Sequence, residues 1–221
     1  MGKNLRKNDV NAYVNKFILK SNDSEIKFLC FIAACISAKK LYSLEHILII
    51  AKSINIGPKK IYETIIQIYL FCGFPATIEA LKVFNKLFPS FEKKYTEFDL
   101  NLYIKKGQKN CRNIYRENYS KLLDNFTNLS PDLKDWMIIE GYGKVMGRTG
   151  LILKERELIN VTVLSTNYYE HQLYSHLKGA INTNSSIELI EAIINLTSLF
   201  NKRRNVRKSM MLLNAIKKQL K

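Results

Sequence analysis

Punctuation constrains this chain most. Among 221 residues there are nine glycines and four prolines, and long stretches run without either, which suits helices of several turns and not a many-turned β-sandwich. Each break falls where a helix would end or begin. "SEIKFLCFIAACISAK" (24–39) reads as a nearly all-apolar, buried helix and "LYSLEHILIIAKSIN" (41–55) as a second. "IGP" then interrupts, with Pro58 as the first residue of a third helix, "PKKIYETIIQIYLFC"; "GFP" (73–75) interrupts again, and Pro75 opens "PATIEALKVFNKLF". A polar connector, "PSFEKKYTEFD" (89–99), precedes a helix at "NIYRENYSKLLDNF" (113–126). In "LSPDLKDWMIIEGYGKVM", Ser130 is placed to cap a helix that has Pro131 in its first turn. "GRTG" (147–150) is a turn, and "KERELINVTVLST" (154–166), "EHQLYSHLKGAIN", "SIELIEAIINLTSLF" and "NVRKSMMLLNAIKKQL" follow as helices. The β-branched "LINVTVLS" favours a strand on propensity, but no second strand is available to pair with it. The reading is all-α, and with 47% hydrophobic residues the chain can bury a substantial core.

The chain also resembles itself. An offset of 129 residues lays Ala51 on Ala180, Leu29 on Leu158, Ile32 on Val161, Leu44 on Leu173, Asn55 on Asn184, Ile61 on Ile190, Ile65 on Ile194 and Phe71 on Phe200, with no gap. Apolar matches between amphipathic helices come cheaply, but a shared order of helix, helix, break, helix does not. The expected organisation is a first copy over 1–90, a connector with a helix over 91–129 and a second copy over 130–221. The copies differ in chemistry. His176 lies over Ile47, His171 over Tyr42, and His46 over Ser175.

The formal charge is +16. It points to a polyanionic partner, or to lysine spread over every solvated face. The densest basic cluster is "NKRRNVRK" (201–208), with no zinc-finger spacing or aromatic RNA-binding signature beside it, so nucleic acid is not the expected partner. Cys30, Cys35, Cys72 and Cys111 form no CxxC pair, which fits free thiols in a reducing cytoplasm. The segment "MGKNLRKNDVNAY" lacks an apolar signal core. The longest apolar run, "FLCFIAACISA" (28–38), is too short to span a bilayer. No membrane association is expected.

The segment from "LSPDLKDWMIIEGYGKV" through "RTGL" and "REL" to "QLYSHLKGAIN" resembles the carboxymuconolactone decarboxylase family, and "GFPATIEAL" (73–81) resembles the end of that family's core repeat. The resemblance implies an all-helical AhpD-like fold, here with an internal duplication, and symmetric homo-oligomers. One branch of the family resembles alkyl hydroperoxidase D. It uses a CxxC pair with histidines and a glutamate from the preceding helix. The cysteine places hold Tyr169 and Gln172 here, and Lys40 and Ser43 in the first copy. Thiol peroxidase chemistry needs a thiolate and a resolving thiol, so it is not expected. The remainder of that relay survives as Glu157, His171 and His176. In the first copy Phe28 takes the glutamate place and Ile47 the histidine place. The other branch, the lactone decarboxylases, relies on proton transfer. The resemblance therefore implies a lyase acting on a small carboxylated lactone or related acid, without a cofactor.

Side-chain chemistry fits this in part. His171 and His176 are five residues apart and point about 140° apart on a helix, poorly placed to share a metal ion. A neutral imidazole accepts a proton near pH 7, and a carboxylate on the preceding helix orients such a ring. Arg148, Lys144 and Lys178 are the expected binders of a substrate carboxylate, Arg148 first for its two-pronged grip. The same residues have plainer readings: the histidines as surface or core-edge groups, Glu157 as a first-turn charge, Arg148 as a turn cap, and Tyr142 and Trp136 as core. Catalytic loss, leaving a binding or assembly protein, is the rival reading.

Overall fold

A computed structural model describes residues 6–220; Met1 to Leu5, the start of the segment read above as lacking a signal core, and Lys221 lie outside the described residues. The described residues form helices and connecting turns, with no strand. The chain is all-α. In order the helices are α1 (Lys7–Phe17), α2 (Ser24–Ser37), α3 (Leu41–Ser53), α4 (Pro58–Leu87), α5 (Leu100–Tyr115), α6 (Tyr119–Leu129), α7 (Pro131–Trp136), α8 (Leu153–Asn167), α9 (Glu170–Asn182), α10 (Ile187–Leu196) and α11 (Arg203–Gln219).

Local chemistry accounts for most boundaries. Pro58 starts α4 and Pro131 starts α7, with Ser130 accepting a hydrogen bond from the Leu133 N–H at 3.3 Å. α4 runs past the "GFP" break but kinks there: Gly73 has φ 74°, a left-handed conformation that costs glycine little. One expectation needs correction, and two helices were not anticipated. Leu100–Tyr115 is a helix of its own, burying Tyr103, Gly107, Cys111 and Ile114 as one helical stripe. The helix expected over 113–126 is broken at Arg116, where φ is 48°. Helix α1 was also not anticipated; it buries Val10 and Val14.

The 129-residue offset recurs in the backbone. α2 begins at Ser24 and α8 at Leu153; α3 spans Leu41–Ser53 and α9 spans Glu170–Asn182; α4 begins at Pro58 and α10 at Ile187. The left-handed residues that end these helices pair up in the same way, Lys39 (φ 58°) with Tyr168 (φ 55°), and Asn55 (φ 60°) with Asn184 (φ 67°). α2 and α8 pack on each other at the centre, each with nearly every side chain buried. One core draws on both halves, from Val10 to Ile216, so the two halves do not fold around separate interiors. A smaller cluster of Cys111, Ile114, Ile138, Tyr142 and Met146 binds the connector helices to the second half. α4 is the one described helix long and apolar enough to cross a bilayer; Glu63 and Gln67 on it are fully buried against α8.

Candidate functional site

Helix α7 continues into a π-helical segment, Met137–Val145, closed by a wide turn in which Met146 N–H donates to the Gly141 carbonyl at 2.9 Å. Such widened turns rotate side chains out of the ordinary helical register and gather at functional sites. Glycines hold this segment tightly on α5. A Cβ at Gly107 would run into the Ile138 carbonyl, and one at Gly143 into the Tyr103 carbonyl. The segment forms one wall of a cavity of about 650 Å³. α4 contributes Tyr69 and Phe71, α5 Tyr115, α8 Asn160, and α9 His171 and His176. The cavity reaches the surface beside Leu129 and Trp136, which are 76% and 64% exposed.

Glu157 is fully buried, and its Oε2 lies 2.9 Å from His176 Nδ1. Asn160 Nδ2 donates to Glu157 Oε1 at 3.1 Å. An ionised carboxylate only accepts, so Nδ1 carries the hydrogen, and Nε2, which has no partner among the described residues, is the nitrogen available in the cavity. The helix register explains the difference between the two histidines: His176 points inward and is buried, while His171, about 140° around the helix, is exposed at the cavity edge. Glu157 therefore meets one imidazole, not two.

The pair sits at the end of a buried polar chain. Gln67 Nε2 donates to Asn160 Oδ1 at 2.7 Å and to the Arg156 carbonyl at 2.8 Å, while Arg156 Nη1 donates to Gln67 Oε1 at 2.9 Å. Arg156, fully buried, also reaches Glu63 Oε2 at 3.2 Å and the Arg148 carbonyl at 2.9 Å. Glu63 in turn accepts from Lys59 and, two-pronged, from Arg148. Burial pushes the Glu63 carboxyl up, but Arg148, Lys59 and Arg156 together hold it below the ordinary carboxylate range. Gly179 makes room for Glu157: a Cβ there would strike Oε2, and Ile114 Cγ2 at 2.7 Å.

The three cations expected to bind a carboxylate stand elsewhere. Arg148 grips Glu63 and, with Lys144, borders a different groove. The Lys144 ammonium lies on Glu140, at 3.0 and 3.2 Å. Lys178 borders a third groove and lies over the Tyr174 ring. Of the two aromatics read as core, Tyr142 is buried but lines the cavity, and Trp136 is largely exposed because the wide turn follows it.

Sequence reasoning missed a pair of phenols. Tyr115 Oη and Tyr142 Oη lie 2.7 Å apart in the cavity wall. Burial pushes both upward, joined by the Glu157 carboxylate at Tyr115 and by Tyr115 and then Glu157 at Tyr142, so both keep their protons at neutral pH. Tyr69 donates to Glu140 at 2.6 Å and is pushed to about 12 by burial and by that carboxylate. The four cysteines are free thiols, and none lines the cavity. Burial raises Cys30 to about 12 and pushes Cys35, Cys72 and Cys111 upward as well. Among the described residues no group of three His, Cys, Asp or Glu side chains is gathered within range of a metal ion.

At the positions 129 residues earlier there is no such site. Phe28 stands for Glu157, Phe31 for Asn160 and Ile47 for His176, all fully buried.

No family model matches the chain. A 97-residue stretch is 27% identical to Peroxisomal protein 2 of Saccharomyces cerevisiae, covering 43% of this chain and 34% of that protein. The match thus spans about a third of the relative's length.

Proposed function

We propose that this chain is a proton-transfer enzyme on an AhpD-like, carboxymuconolactone-decarboxylase-like scaffold of two copies, one of which keeps the site. The observation that carries the reading is the 2.9 Å contact between buried Glu157 Oε2 and His176 Nδ1 in the wall of the cavity. The matching helix bounds and left-handed residues 129 positions apart support the two-copy scaffold.

Glu157 fixes the ring's orientation and stabilises the imidazolium whenever His176 holds a second proton. His176 Nε2 takes a proton from a substrate carbon, or gives one to it. With a carboxylated lactone or related acid, the class the resemblance implies, breaking the C–C bond releases CO2 and leaves the electron pair as an enolate. Protonated His176 then delivers its proton to that carbon. The Tyr115–Tyr142 pair is placed to donate a hydrogen bond to the developing oxyanion. His171, at the cavity edge, faces the part of a substrate that lies nearer to solvent. The fully buried Phe28, Phe31 and Ile47 at the equivalent place limit the chain to one such site.

That filled seam also favours a second reading, a catalytically silent protein that binds a small molecule or assembles with a partner. The proposed setting is a cytoplasmic homo-oligomer. The resemblance to Peroxisomal protein 2 sets the peroxisome beside the cytoplasm, and a fluorescent fusion distinguishes them. The function is tested by screening carboxylated lactones, β-keto acids and their uncharged esters against wild type and His176→Ala. Turnover falling at least ~100-fold in the variant, with its helical circular dichroism retained at the assay temperature, supports the enzyme. Equal turnover by both removes the role of His176, and no turnover on any compound favours the second reading.

A further inference from the structure

The cavity that holds His176 is unusual for a site expected to take a carboxylate: among the described residues, no lysine or arginine lines it. Its acidic lining residue is Glu140, and the ammonium that pairs with that carboxylate, Lys144, is not itself in the lining. Most of the remaining wall is apolar, with Phe71, Phe126, Leu133, Trp136 and Met137 surrounding the space. A carboxylate moved from water into such a site would lose hydration, gain no opposite charge and meet a like one.

The hydrogen-bonding equipment suits a different ligand. Tyr115 and Tyr142 own two hydroxyl hydrogens between them. One lies in their mutual 2.7 Å bond, and the second has no acceptor among the described residues. His176 lines the same cavity, and its Nε2 is likewise without a partner among them. A carbonyl oxygen held by the phenol presents the neighbouring carbon to a base.

We infer that this cavity receives an uncharged, largely apolar molecule bearing a carbonyl or hydroxyl oxygen, held by the Tyr115–Tyr142 pair beside His176, rather than a carboxylate. This keeps the proton-transfer chemistry proposed above, on which it rests for the reaction though not for binding, and replaces the carboxylated substrate class, and with it the loss of CO2, by an uncharged carbonyl compound. On such a ligand the reaction is tautomerisation: His176 Nε2 takes the proton on the carbon next to the carbonyl, the C–H electron pair becomes the enolate, and a proton returns to carbon or oxygen. No other reactant is needed. The cavity volume of about 650 Å³ lies within the range of small-molecule sites.

The test uses 2-tetralone and 2-naphthoate, two fused-ring probes differing in charge. Binding to the whole chain is followed by calorimetric titration, and exchange of the α-hydrogens of 2-tetralone in D2O by proton NMR. The expected result is 2-tetralone binding at least tenfold tighter than 2-naphthoate, with the preference kept in His176→Ala. Tyr142→Phe is expected to weaken 2-tetralone several-fold. Glu140→Gln, which frees Lys144, is expected to tighten 2-naphthoate about tenfold. Naphthoate binding as tightly as tetralone, or neither probe binding up to its solubility limit, overturns the inference. Selective tetralone binding without catalysed exchange leaves the inference standing and refutes proton transfer instead.

Discussion

Replacing Glu63 by glutamine removes one negative charge from the middle of three positive ones. Glu63 is fully buried, as is Arg156, whose Nη2 lies 3.2 Å away; Arg148 grips both carboxylate oxygens, and Lys59 lies at 2.8 Å. Glutamine keeps the shape but returns at most one accepting oxygen and no charge. Arg156 is then a buried cation held by Gln67 Oε1 and the Arg148 carbonyl alone. Breaking a buried ion pair on one side costs about 3–5 kcal/mol. For a domain of this size each kcal/mol moves the melting temperature by about 2–4 °C, so a loss of about 10 °C is expected in a calorimetric scan at pH 7. The pH dependence supplies a second readout. The folded carboxyl lies below its ordinary range, so its contribution is complete above the unfolded pKa of about 4.3 and is lost as pH falls through the folded value. The gap between wild type and Glu63→Gln should close on acidification below about pH 4. Adding Arg156→Met to Glu63→Gln should restore part of the loss, since the orphaned charge goes too. A melting temperature within about 2 °C of wild type at pH 7 would refute the claim that this carboxylate anchors α4 to α8.

Gly179→Ala places a methyl against Glu157 Oε2 and Ile114; a loss of about 1–3 kcal/mol in urea titrations is expected. Gly141→Ala, whose added methyl meets nothing within 4 Å, should stay within about 0.5 kcal/mol by the same titration. Phe31→Ala removes a fully buried ring that packs on Phe28, Tyr13 and Phe200, and should cost about 3–5 kcal/mol by the same measurement. At pH 8, a thiol reagent followed by absorbance should label the half-buried Cys72 first, with Cys30, Cys35 and Cys111 reacting only on unfolding, because burial raises all four thiols.

What the sequence disclosed was the local physics. The unbroken apolar run of α2, the prolines that start α4 and α7, and the Ser130 cap each depend on a few neighbouring residues. α5 escaped notice because its buried stripe includes Gly107, a residue that reads as a break until the Ile138 carbonyl is found against it. The turn at Arg116 bends without a glycine to mark it. The resemblance names Glu157, His171 and His176 together; the helix period separates the two histidines, and only His176 meets Glu157. Arg148 reads in sequence as a binder of a substrate carboxylate or a turn cap; its grip on Glu63 was hidden because that residue lies 85 positions away on another helix. The same distance problem hid Tyr115, whose hydroxyl acquires a role only when the π-helical segment sets Tyr142 beside it.

The two halves place opposite demands on matching backbone addresses. At Phe28 and Ile47 a substitute need only fill the same volume, so leucine or methionine should serve. At Glu157 and His176, 129 residues on, the proton transfer proposed above asks for proton affinity and reach before volume. On that proposal, a saturation scan would record tolerance of shape at Phe28 and Ile47 and little tolerance at Glu157 and His176, along one shared helical path.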